Sequence, residues 1–124
     1  DVDTAAVTLT TASGAICQIN NSRRATYGYD QRAEVHGASG MLQAGNILEN
    51  TVQVANESGF SSSPTKHFFL ERYAAAYRAE MAHFVEAVAK GKHMSPSVHD
   101  GLAAQRLADT AAESLVQGRP IAVS

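Results

Sequence analysis

SRRATYGYDQRAEVHGASGML, residues 22–42, joins a tyrosine-rich connection to a strand–turn–strand unit, and its alternation decides the fold class. From Gln31 to His36, Ala33 and Val35 fall on one face while Arg32, Glu34 and His36 fall on the other, as in a strand with one buried face. Gly37-Ala38-Ser39-Gly40 predicts a turn, and Met41 to Gln43 the returning strand. On the N-terminal side, Thr4–Thr10 and Ala15–Asn20 flank Ser13-Gly14, which predicts a β-hairpin. On the C-terminal side, Glu49–Ala55 carries Val52 and Val54 in register, and Asn56–Pro64 is a polar loop rich in Gly and Ser.

Beyond that loop the period changes from two to 3.6. Leu70, Tyr73, Tyr77, Met81, Phe84, Val85 and Val88 recur at helical spacing over Leu70–Ala89, and Gly91 ends the segment. Ser95-Pro96-Ser97 offers a cap with proline in the first turn, and Ser97 with Asp100 fits a capping box. The second helix, Pro96–Val116, places Ala104, Leu107, Ala108, Ala111 and Leu115 on one stripe. Pro120–Val123 fits a short edge strand. Strands followed by two amphipathic helices predict an α+β fold: a largely antiparallel or mixed open sheet with two helices packed on one face.

A length of 124 residues, with 44% hydrophobic and 18% charged residues, suits one folded domain over 1–124 with one core, not a disordered chain. The formal charge of -2 and scattered basic residues exclude the electrostatic footprint of a nucleic-acid binder. No run of about 18 apolar residues suggests a membrane span. The single Cys17 lies in an apolar alternating stretch, where a buried structural thiol in a reducing cytoplasm is expected. The chain starts without Met and enters a strand within a few residues, which suggests an internal cut and a part of a longer protein.

Catalytic machinery is absent from the motifs. No dinucleotide glycine loop occurs, and His36, His67, His83, His93 and His99 are dispersed without zinc spacing, so no metal site is expected. Tyr27 and Tyr29 lie two apart and would project to the same side of an extended segment; a phenol, flat and apolar with a hydroxyl tip, suits a polyol pocket or an ordinary sheet edge. Asp30 and Arg32 read as a surface ion pair or turn anchors, Tyr73 and Tyr77 as neighbours on a buried helical stripe, and Arg23-Arg24 as a solvated pair able to clamp an anion.

The segments DVDTA, CQINNSRR, YGYDQR, EVHGASGML, FLERY and DGL together resemble the C-terminal part of the inositol 2-dehydrogenases, in the Gfo/Idh/MocA group of NAD(P)-dependent sugar and polyol oxidoreductases. The E-x-x-G-x-x-G-x-L stretch from Glu34 marks the broad group, and YGYDQR with the Tyr73/Tyr77 helix marks the inositol enzymes. The resemblance implies a parent with an N-terminal Rossmann domain, missing here, that binds NAD, and a C-terminal domain closing one side of the substrate pocket. The family's E-K-P lysine and its D-x-x-x-H aspartate and histidine do not occur, so no catalytic or cofactor-binding residue carries over and the isolated chain is expected to be inactive. Tyr29 and Tyr77 match positions whose hydroxyls approach the inositol ring; Tyr27 and Tyr73 are structural. The resemblance further implies an inositol or related polyol substrate, a cytoplasmic homo-oligomer assembled through the open sheet face, and no nucleic-acid or membrane partner. Two alternatives stay open: a stand-alone binding or scaffold module, and a dehydrogenase of another sugar or polyol.

Overall fold

The structure, a computed structural model, describes residues 2–123; Asp1, expected at an internal cut, lies outside them, as does Ser124. Two compact units are distinguished, Asp1–Ala5 with Asn21–Arg78 and Ala6–Asn20 with Ala79–Ser124. Strands β1 (Thr4–Thr10) and β2 (Ile16–Ser22) form one two-stranded sheet and contribute residues to both units. The first unit contains β3 (Ala33–Gly37), β4 (Gly40–Ala44), β5 (Gln53–Asn56), β6 (Gly59–Ser62) and a short helix α1 (Phe69–Arg72). Helix α2 (Ala74–Lys90) passes from the first unit into the second, which contains α3 (Val98–Gln117).

The expected hairpin at the centre of the sequence forms, with its strands paired antiparallel. Val35 faces Leu42, Glu34 faces Gln43, and Gly37 faces Gly40 across a two-residue loop of Ala38 and Ser39. Gln31 and Arg32, expected in the strand, are outside it, because the Gln31 N–H is taken by Asn46 Oδ1 at 2.8 Å and Arg32 turns to Asp30. In β1 the sequence alternation becomes an alternation of burial, with Ala5, Val7 and Leu9 half-buried between exposed neighbours. The β1–β2 turn is closed by Thr11, whose carbonyl accepts from Gly14 N–H and whose hydroxyl accepts from Ala15 N–H.

Several elements differ from their sequence-based expectation. The three strand pairs are separate two-stranded sheets among the described residues, and not one continuous open sheet. The expected loop 56–64 contains β6, which pairs antiparallel with β5 through Asn56 opposite Gly59. Strand Gly59–Ser62 has little alternation to betray it; backbone pairing and the Asn56 side chain, which accepts from Ser58 N–H at 2.9 Å, make the turn. The first long helix is interrupted at Tyr73, whose ψ of 6° departs from helical geometry. Pro96 precedes the N-cap Ser97 instead of entering the first turn, and residues 120–123 form no strand. Cys17 is exposed, since β2 is open on both faces.

Of the hydrophobic side chains among the described residues, Ala87 alone is buried. Both faces of β3–β4 are open, with Val35 and Leu42 61% and 75% exposed, so the apolar positions of the alternation lack a cover within this chain. The ends of α3 (Val98–Gln117), by contrast, are satisfied locally. The N–H and hydroxyl of Ser97 donate to Asp100 Oδ2 at 2.6 and 2.8 Å, and Gly118, at φ 63°, closes the C-terminus by donating to the Ser114 carbonyl at 2.9 Å.

The bonds from Ser97 hold the Asp100 carboxyl below its usual range. A depressed folded-state value means that the carboxylate stabilises the fold at pH above its unfolded value and that this contribution is lost as pH falls through the folded value. Thermal melts of the full-length protein and its Asp100→Asn variant are expected to differ at neutral pH and to converge in acid.

Candidate functional site

The tyrosines singled out by sequence lie in the first unit, on a connection pinned from both ends. Gly28 is buried, with φ at 121°, so residues 27–29 form a turn and not the extended run that would send both rings to one side. A Cβ at position 28 would stand 2.0 Å from Thr65 Oγ1, 3.0 Å from the Thr65 carbonyl oxygen and 3.1 Å from that of Lys66. The missing side chain lets segment 64–66 lie against the turn. Thr65 Oγ1 donates to the Tyr27 carbonyl at 2.6 Å, and Tyr29 N–H donates to the Lys66 carbonyl at 2.8 Å. That segment is itself anchored, because Lys66 N–H reaches the Ile47 carbonyl at 3.0 Å and Leu48 bridges to Thr65.

On the other side of Tyr29, four donors meet one carboxylate. Arg32 grips Asp30 with two bonds, Nε to Oδ1 at 2.7 Å and Nη2 to Oδ2 at 2.8 Å. The Tyr27 hydroxyl donates to Oδ2, and Asn46 Nδ2 donates to Oδ1 at 2.8 Å. The side chain of Asp30 is 18% exposed, and of the two readings offered by sequence, surface ion pair or turn anchors, the cluster fits the second. Arg32, then Tyr27, then Asn46 hold the Asp30 carboxyl far below the usual carboxylate range, and Asp30 in turn raises the Tyr27 phenol.

Tyr29 therefore parts company with Tyr27. Its ring meets Tyr73 edge-to-face, with centroids 5.5 Å apart and planes at 78°, and Tyr73 meets Tyr77 at 6.2 Å and 72°. The two residues assigned to substrate contact, Tyr29 and Tyr77, are thus joined through Tyr73, with Tyr77 47% exposed and its neighbours half-buried. Tyr73 was legible only as a helical neighbour of Tyr77; its contact with Tyr29 spans a sequence separation no local pattern encodes. Its phenol is raised above the ordinary value, first by hydrogen bonding to Tyr29 and next by burial. The Arg72 guanidinium lies 5.6 Å from the Tyr73 ring centroid, a cation–π contact, and its buried Nε has no hydrogen-bond partner.

Other candidates do not join this cluster. Arg24 pairs with Asp3 at 3.2 Å on the surface, and His36 pairs with Glu34 at 2.7 Å on β3. Among the described residues no three His, Cys, Asp or Glu side chains gather as metal ligands, and no helix is long and apolar enough to cross a membrane. β3–β4 and β5–β6 are antiparallel hairpins, and β6 reaches α1 through residues 63–68, which contain no glycine.

Small antiparallel strand pairs followed by long helices define an α/β domain. The family model of the Gfo/Idh/MocA oxidoreductases' C-terminal alpha/beta domain matches residues 1–123, and the chain belongs to that family. It is 45% identical over 124 residues to an inositol 2-dehydrogenase of Rhizobium meliloti (strain 1021), covering all of this chain and 38% of that protein. A myo-inositol 2-dehydrogenase of Thermotoga maritima is 45% identical over 121 residues, 98% of this chain and 36% of the relative. The crystal structure of a myo-inositol dehydrogenase from Corynebacterium glutamicum ATCC 13032 superimposes with a TM-score of 0.93 at 42% identity, over 98% of this chain and 37% of that one. The chain therefore spans less than two-fifths of the length of these relatives.

Gly28→Ala combines an unfavourable φ with a clash of the new Cβ against Thr65 Oγ1 and tight approaches to two backbone carbonyls. It is expected to destabilise the full-length protein by on the order of 2–3 kcal/mol in urea denaturation. Thr65→Ala removes both the clash with Oγ1 and the bond to the Tyr27 carbonyl, so the double variant should be less destabilised than the sum of the two single variants.

Proposed function

We propose that this chain is the C-terminal portion of an NAD-dependent inositol 2-dehydrogenase, a cytoplasmic enzyme that oxidises a ring hydroxyl of inositol to a ketone. NAD is bound by polypeptide outside these residues, as are the groups that move the hydroxyl proton. This portion lines the substrate pocket with Tyr29 and Tyr77 and takes part in subunit assembly. The observation that carries the reading is 45% identity along the whole chain to an enzyme named for inositol oxidation. The ladder from Tyr29 through Tyr73 to Tyr77 supports it, offering phenol hydroxyls on fixed rings to a polyol.

The exposed apolar positions support the assembly role. Ile16, Leu42 and Phe60 are 72%, 75% and 85% exposed on three different strand pairs. Burying such a side chain is worth about 1.5–3 kcal/mol, so further polypeptide or a second subunit gains by covering them. That gain supports a homo-oligomer assembled through the open strand faces.

In the full-length enzyme, Tyr29→Phe should lower kcat/KM for inositol by roughly one to two orders of magnitude, since one hydrogen bond to substrate is worth about 1–3 kcal/mol. Steady-state kinetics with NAD and myo-inositol test this. Unchanged kinetics would remove Tyr29 from the pocket, and activity on another polyol but not on inositol would replace the substrate.

A further inference from the structure

The Asp30 cluster is larger than a turn requires. A turn at Gly28 needs a residue without Cβ, the bond from the Thr65 hydroxyl to the Tyr27 carbonyl and the backbone bond from Tyr29 to Lys66, all of which are present without any charged group. The structure adds a carboxylate with four donors immediately after Tyr29, and a second layer behind it, in which Asn46 holds Asp30 with its amide nitrogen and the Gln31 N–H with its amide oxygen. Tyr29 is thereby bracketed: its own N–H is fixed to Lys66, and the next two residues are fixed through Asp30 and Asn46. With the backbone fixed on both sides, the ring keeps few choices besides its edge-to-face seat on Tyr73.

We propose that Asp30 is a positioning residue for the reaction: through Arg32, Tyr27 and Asn46 it locks the turn that aims the Tyr29 hydroxyl at the substrate. The proposal rests on the reading of Tyr29 as a substrate contact. Asp30 itself touches neither substrate nor cofactor. Its four bonds are intramolecular, and its effect on turnover runs through the angle at which Tyr29 leaves the backbone.

Asp30→Asn tests this in the full-length enzyme. The substitution puts an amide nitrogen, a donor, where an oxygen now accepts from Arg32 Nη2 and Tyr27, or from Arg32 Nε and Asn46, whichever way the amide turns. Misplacing a binding group by a fraction of an ångström is costly, and kcat/KM for inositol should fall about tenfold or more. The loss should divide between kcat and KM as the Tyr29→Phe loss does. In the Tyr29→Phe background, where no hydroxyl remains to be aimed, Asp30→Asn should change kcat/KM by less than about twofold, while its effect on the melting temperature stays the same in both backgrounds.

Tyr27→Phe is the milder variant. It removes one donor and leaves the bidentate ion pair, and its smaller loss should vanish in the same background. Equal losses in the two backgrounds would mean that Asp30 acts on the fold at large and would overturn the proposal. So would unchanged kinetics of Asp30→Asn beside an impaired Tyr29→Phe. If Tyr29→Phe itself is unimpaired, the substrate reading fails first and the positioning role with it.

Discussion

Gly28 and the Asp30 carboxylate act on the same turn from opposite sides, and the position of Tyr29 depends on both. The glycine admits Thr65 Oγ1 to a distance that a Cβ would forbid and leaves room for the two backbone carbonyls of residues 65 and 66 beside it. The carboxylate gathers donors from residues 27, 32 and 46, tying the strand β3 entry to the connection that follows β4. An ionised carboxylate with one oxygen pair shared among four donors is satisfied almost to capacity, which is why it can be four-fifths shielded without the cost of an orphaned charge. The result is a rigid loop built from short local segments, presenting one tyrosine to a helix whose own break falls at the residue it meets.

The remainder of the chain is unusually open. A composition that is 44% hydrophobic normally implies a core, yet Ala87 alone among the described hydrophobic side chains is buried. Alternation in β3 and helical periodicity in α2 are satisfied as patterns and left uncovered as surfaces, with Val35, Met81 and Val88 each more than half exposed. A stripe of this kind fits a domain that completes its core against other polypeptide. Coverage of less than two-fifths of each relative's length is consistent with that account.

Much of this was legible in the sequence for reasons tied to particular residues. The turn between β3 and β4 and the Ser97/Asp100 cap follow from local rules of period and turn chemistry, and the structure has both. β6 escaped because Gly59–Ser62 forms its ladder with backbone groups alone. Cys17 was misread because alternation reports which face is apolar, not whether anything covers it. The pairing of Tyr27 with Tyr29 on one side assumed an extended backbone; only the contact with Thr65, thirty-eight residues away for Tyr27, reveals why Gly28 must turn instead. The Asp30 cluster likewise depends on Asn46, sixteen residues downstream and unremarkable in sequence. Family resemblance singled out Tyr29 and Tyr77 as candidates, and the structure puts the Tyr73 ring between theirs.

The most direct test of the account is a crystal structure of the full-length protein with cofactor and a bound, unreactive inositol. The account predicts the Tyr29 hydroxyl within about 3 Å of a ring hydroxyl, with Asp30 still holding its four donors and the Tyr73 ring still edge-on to Tyr29. An inositol ring seated away from Tyr29 and Tyr77, with the Asp30 cluster intact, would contradict it and leave the turn a purely structural feature of the domain.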